Sequence, residues 1–181
     1  KPQNAEAAVG VATPAVTRQA ARRAFTQVVR MVARIVHAMR ATDLRAVLVA
    51  TSAEIAPAAL SRGAEIELRA DGPLPIRGDS ALLRVLFRNV LENAVRYSPP
   101  QTVVRIDVSR TSGRAHVVIT DEGYGVPAEA LQHLGHRFYR AVGTGEPGSG
   151  LGLSIATRIA DLHGATMTFA QPPTGRGLQV T

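Results

Sequence analysis

Asn89, Asn93, Arg96 and Tyr97 stand at i, i+4, i+7 and i+8 in one stretch of this chain, the spacing that turns side chains toward one side of a helix. Asparagine is a weak helix former with no packing reason to recur there. Its carbonyl oxygen, however, is a hard ligand suited to Mg²⁺ beside phosphate groups. The same residues also fit a capped or solvated helix face. Further on, Asp121-Glu122-Gly123-Tyr124-Gly125-Val126-Pro127 follows a strand-like run, which sets a carboxylate at a strand end above a tight glycine turn. Such a carboxylate can accept a hydrogen bond from an exocyclic amine like that of adenine, and Gly123 and Gly125 let a flat ring approach the backbone. An ordinary Asp-x-Gly turn carries the same residues.

Gly148-Ser149-Gly150-Leu151-Gly152-Leu153 opens a helix read from about 150 to 163, so unpaired N–H groups and a positive dipole end are available to anionic oxygens. This would be a phosphate cradle without lysine. Gly143-x-Gly145-x-x-Gly148 has the form of a dinucleotide fingerprint, yet no strand precedes it and the helix begins too late. Those glycines instead suggest a mobile lid. Phe138-Tyr139-Arg140 stands just before it, where an aromatic pair can anchor the base of the lid and Arg140 can reach a phosphate. Phe138 itself is expected to pack into the core.

The elements that must position these groups follow from periodicity. Residues 1 to 16 are Ala, Pro and small polar residues without a pattern, a poorly ordered lead-in. From Arg18 to Ala41 the apolar residues Phe25, Val28, Val32, Ile35 and Met39 alternate three and four apart, the seam of a bundle helix. After Thr42-Asp43 a second amphipathic stretch runs to about Ser61 and stops at Gly63. Residues 64–68 alternate as a strand, a short strand follows around Leu74 to Arg77, and a helix spans Ser80 to Tyr97 until Ser98-Pro99-Pro100 ends it. Thr102–Ser109 and Arg114–Thr120 read as a hairpin through Thr111-Ser112-Gly113. Two last strands fit 165–170 and 176–181. The predicted class is α+β, a two-layer sandwich with a mixed sheet, helices on one face and a flexible lid, preceded by a bundle helix.

Composition excludes several chemistries. The chain of 181 residues has no cysteine, so thiol nucleophiles, disulfides and cysteine-held zinc are ruled out within it. Every basic residue except Lys1 is arginine, which removes both a P-loop and the strand lysine of eukaryotic-type protein kinases. The net charge of +7 invites a nucleic-acid reading, but residues 1–45 hold eight basic residues against Glu6 and Asp43, which leaves +1 for the remainder. The arginines of the seam helix read as its solvated face, and no nucleic-acid partner is expected. No apolar run reaches the roughly 18 residues of a membrane span, and the start lacks the apolar stretch of a secretory signal. This piece therefore reads as soluble.

In order along the chain, these pieces resemble the N, G1, F and G2 boxes of the sensor histidine kinase catalytic domain, within the superfamily of gyrase, heat-shock and mismatch-repair ATPases. Asn89-Val-Leu-Glu-Asn93-Ala-Val-Arg-Tyr97-Ser-Pro looks like the N box, Asp121 to Pro127 the G1 box, His136-Arg-Phe-Tyr-Arg140 the F box, and Gly148 to Leu153 the G2 box. Gly175-Arg176-Gly177 is similar to the family's last glycine element. The resemblance implies ATP and Mg²⁺ as cofactors, with Asn93 the metal ligand, Asn89 its support, Arg96 near the phosphates, Tyr97 beside the base and Asp121 reading the adenine amine. Glu92 becomes a candidate for positioning or base chemistry, and Arg140 for contact with the transferred group. Gly123, Gly125, Val126, Tyr139, Gly148, Ser149, Gly150, Leu151, Gly152 and Leu153 complete the implied nucleotide site.

The reaction so implied passes the γ-phosphoryl group to a histidine on a dimeric helical bundle, and from there to the receiver domain of a response regulator. It implies a homodimeric full-length kinase at the cytoplasmic side of an inner membrane, with this piece alone monomeric. A nucleotide-gated binding module, or a superfamily ATPase or serine kinase, is the alternative. His37, in Val36-His37-Ala38-Met39, lacks the acidic neighbour of the family's acceptor motif and reads as an ordinary bundle residue, so the acceptor is placed before Lys1. The domain division is 1–42 for lead-in and bundle remnant and 43–181 for the catalytic domain. His136 stands where an acidic residue is more usual, and His116, His133 and His163 match no ligand spacing.

Overall fold

A computed structural model describes residues 39–136, 138–139 and 150–181. The lead-in, most of the predicted seam helix, His37, Arg140, Gly148 and Ser149 lie outside the described residues. The described chain begins with strand β1 (Arg40–Asp43), followed by helix α1 (Leu44–Ser61), strands β2 (Ala64–Ala70) and β3 (Pro75–Gly78), and helix α2 (Ser80–Tyr97). Strands β4 (Thr102–Thr111) and β5 (Arg114–Thr120), the short helix α3 (Ala128–Leu131), helix α4 (Gly152–Leu162), and strands β6 (Phe169–Ala170) and β7 (Gln179–Val180) complete it.

Arg40 and Ala41 are a correction to the predicted helix: they extend in β1, antiparallel to β3 with Arg40 opposite Gly78. The ladder, together with a bond from Thr42 Oγ1 to the Gly78 carbonyl at 2.9 Å, satisfies backbone groups that local helical periodicity could not weigh. Asp43 then caps α1, its Oδ1 accepting from the N–H groups of Arg45 at 3.1 Å and Leu74 at 2.8 Å. Helix α1 also corrects the reading of apolar runs. By length and composition it could cross a membrane, but Leu44, Val47, Leu48, Thr51, Ile55 and Ala59 are buried in the core formed with α2 and β2.

A five-stranded sheet has the order β2-β4-β5-β7-β6, with β2 and β4 parallel and the other pairs antiparallel. Parallel neighbours need a crossover, and α2 lies in the segment that makes it. Its stripe of Leu83, Leu86, Phe87, Val90, Leu91 and Ala94 is buried as the spacing predicts. Against it pack Ile66 and Leu68 of β2, Val104 and Ile106 of β4, and Val117 and Ile119 of β5. The opposite sheet face is polar, with Arg105 paired to Glu122 at 2.8 Å and to Glu67 at 3.6 Å. The predicted two-layer sandwich is thus present, its helices on one face. The β4–β5 hairpin turns through Ser112 and Gly113, both at positive φ (51° and 79°), as a two-residue turn matched to strand twist requires.

Candidate functional site

One cavity of about 240 Å³ opens between α2, the loop after β5, the segment after α3 and the start of α4. It gathers Asn89, Glu92, Asn93, Arg96, Tyr97, Asp121, Gly125, Val126, Tyr139, Gly150, Gly152 and Leu153, which the sequence scatters over more than sixty positions. Gly123 and Leu151 are not in its lining. A Cβ on Gly123 would meet the Tyr97 carbonyl oxygen at 2.6 Å and Asp121 Oδ1 at 2.9 Å. That glycine therefore admits the protein's own backbone, where the sequence reading expected a flat ring.

Helix α2 supplies one wall because Asp79 fixes its start, accepting from Ala81 and Leu82 N–H groups through Oδ1 at 2.9 and 3.1 Å. The apolar stripe then faces the sheet, which leaves Asn89, Glu92, Asn93 and Arg96 half-buried on the cavity side. Asn89 donates from Nδ2 to the Val85 carbonyl at 2.8 Å, so its amide oxygen is the end turned outward, and a Cβ on Gly152 would lie 3.0 Å from that oxygen. Glu92 is held by Arg88 Nε at 2.8 Å, an i,i+4 pair. Among the described residues no cluster of three His, Cys, Asp or Glu side chains stands ready to hold a metal. Amide oxygens are the donors that fit Mg²⁺, which accepts few protein ligands and fills its shell with water and phosphate oxygens.

Asp121 stands at the end of β5 and is 4% exposed. Its Oδ1 accepts from the N–H groups of Gly123 at 2.9 Å and Leu178 at 3.1 Å. Its Oδ2 accepts none from the described residues and is the atom left for a ligand. Burial lifts the carboxyl from its usual 3.8 to about 6, against the opposing pull of those two N–H groups. The arrangement depends on Gly177, at φ 86°, where an added Cβ would fall 1.9 Å from the Asp121 carbonyl oxygen. No side chain but hydrogen fits there.

Helix α4 closes the far side. It starts at Gly152, two residues later than the glycine run suggests, and among the described residues no side chain caps its first turn. No bond from another described residue occupies its leading N–H groups, which can meet an anion with the helix dipole in support. Tyr139 lines the cavity and its ring lies 5.3 Å from that of His133. Phe138 is a correction: expected in the core, it is 73% exposed. Its backbone sits at φ 63° and donates to the Gly150 carbonyl at 3.2 Å, a main-chain anchor that leaves the ring facing outward.

Tyr124, Leu134, Gly135 and Leu178 also line the cavity and were missed by sequence reasoning, and so does His136, which the F-box stretch includes but the expected site residues do not. Tyr124, 84% exposed, lies inside the Asp121–Pro127 stretch, and Leu178 follows Gly175-Arg176-Gly177, so both stood beside a recognisable signal. Leu134 and Gly135 had none.

Residues 78–181 match the family described as histidine kinase-, DNA gyrase B-, and HSP90-like ATPase. The sensor protein QseC of Salmonella typhi is 47% identical over 98 residues, 54% of this chain. The chain spans 21% of that relative's length. Among solved structures, the mycobacterial sensor histidine kinase MprB is similar with a TM-score of 0.67 and 29% identity, over 78% of this chain and 93% of that one. Full-length ShkA in complex with AMPPNP gives 0.68 and 28%, over 78% of this chain and 30% of that one.

Proposed function

The chain belongs to the histidine kinase-, DNA gyrase B- and HSP90-like ATPase family, and from that premise we propose that residues 43–181, with β1 from Arg40, are the Mg²⁺-ATP-binding catalytic domain of a sensor histidine kinase. The observation that carries the reading is a single cavity lined together by Asn89, Asn93, Asp121 and Gly152. Asp121 Oδ2 accepts the adenine amine, Tyr97 flanks the base, and Arg96 and the first-turn N–H groups of α4 receive phosphate oxygens. Asn93 and Asn89 hold Mg²⁺, which when bound neutralises phosphate charge. Glu92, oriented by Arg88, serves positioning or base chemistry. Arg140, Gly148 and Ser149 belong to the same site on the strength of the resemblance alone.

Phosphoryl transfer asks little covalent chemistry of such a domain. Its work is to hold the triphosphate in line with an incoming imidazole and to spread developing charge over amide, arginine and helix-end donors. The acceptor is a histidine before Lys1 on the dimeric helical bundle of the same kinase, of which the residues before β1 retain a part. A response-regulator receiver domain takes the group next, at the cytoplasmic side of the inner membrane. Incubating the chain with γ-labelled ATP and a separately supplied acceptor bundle tests this. Label on the bundle histidine is the expected result. Nucleotide binding without transfer would leave a nucleotide-gated binding module in place of a kinase.

A further inference from the structure

His163 is the C-cap of α4, at the opposite end of the helix from the cavity-lining Gly152 and Leu153, and the catalytic reading gives it no role. Its Nδ1 lies 2.8 Å from the Ile159 carbonyl oxygen, and its Nε2 lies 3.1 Å from the backbone N–H of Asp79. A carbonyl can only accept and an amide N–H can only donate. The ring is therefore neutral, with its proton on Nδ1 and a lone pair on Nε2. Asp79 is the N-cap of α2, and beside it a Cβ on Gly78 would meet the imidazole Cδ2 at 3.2 Å. The ring thus fits into the chain just where α2 begins.

At the other end of the same helix pair, Gly152 approaches Asn89, so α2 and α4 run antiparallel. Asp79 to Asn89 is ten residues and Gly152 to His163 is eleven, about 15 and 16 Å of helix rise. The two spans match. A shift of α4 that broke the His163 bond would carry Gly152 and the phosphate-facing N–H groups with it. We infer that His163 is a positioning residue whose neutral imidazole staples α4 to the start of α2 and so holds the two walls of the nucleotide cavity in register. The inference rests on the nucleotide-binding reading above.

Two variants test it, with affinity for Mg²⁺-AMPPNP read by calorimetry beside thermal unfolding. His163→Leu keeps bulk and loses both hydrogen bonds, and should bind about fivefold more weakly, the worth of roughly one net hydrogen bond. His163→Gln returns an acceptor toward Asp79 and should restore affinity to within about twofold of native. A folded Leu variant with native affinity, or a Gln variant as weak as Leu, overturns the role. Nitrogen NMR of the native chain needs no variant: a proton on Nδ1 and a bare Nε2 supports the staple, and a proton on Nε2 refutes it. Absent binding by the native chain would strike the functional reading itself, whereas native binding with an unaffected Leu variant strikes only His163.

Discussion

Replacing Asp121 by Asn separates recognition from stability, because the two oxygens of this carboxylate do different work. Oδ1 is taken by the Gly123 and Leu178 N–H groups, and an Asn oxygen can take the same place. That choice turns the amide NH₂ toward the ligand, so a donor faces the adenine amine where an acceptor stood. Losing that bond and leaving a buried donor unpaired costs about 1–3 kcal/mol, roughly 5- to 150-fold in Kd. Stability should move the other way. The lift of the carboxyl from 3.8 to about 6 disfavours the ionised form by roughly 3 kcal/mol. A raised value of this kind contributes stability fully present below pH 3.8 and lost as the pH rises through about 6. At pH 7.5 the native chain has lost that contribution, while Asn never ionises. Calorimetric titration with Mg²⁺-AMPPNP, beside a thermal melt at that pH, should show weaker binding and an equal or higher Tm. Affinity within twofold of native would refute the assignment of Oδ2 to the base. A collapsed Tm would refute the claim that burial works against the carboxylate.

The same carboxyl predicts a pH dependence: because Oδ1 holds two donors, protonation falls on Oδ2, so nucleotide affinity should decline as the pH falls through about 6, and titrations across that range should show the slope absent from Asp121→Asn. Gly177→Ala places a Cβ 1.9 Å from the Asp121 carbonyl oxygen at φ 86°, which should cost about 3 kcal/mol or more of stability by chemical denaturation. Gly152→Ala should behave differently, since its Cβ meets the flexible Asn89 side chain, nearest at the amide oxygen at 3.0 Å: helix propensity offers up to about 1 kcal/mol, so denaturation midpoints should hold or rise while Mg²⁺-dependent nucleotide binding, followed by calorimetry, weakens.

Much of the layout was legible because local patterns encode local elements. The stripe from Leu83 to Ala94 marked both the extent and the buried face of α2, and Ser112-Gly113 marked the hairpin, since only a tight turn explains that pairing of strands. Where a partner distant in sequence decides, the pattern misled. Arg40 and Ala41 continue a helical spacing but pair with β3. Phe138 reads as apolar filling but is held outward by a bond from its backbone to Gly150.

What the residues determined by themselves was the chemical inventory: amide oxygens at helical spacing, a strand-end carboxylate, uncapped glycine-rich N–H groups, and no lysine to cradle phosphate. Tertiary structure decided how those groups are poised. The Leu178 N–H that occupies Oδ1 of Asp121 comes from 57 positions away, and the His163 ring that meets Asp79 from 84. Periodicity reports which face of an element is buried, but a hydrogen bond between elements depends on their packing, and that is settled only when the whole core closes.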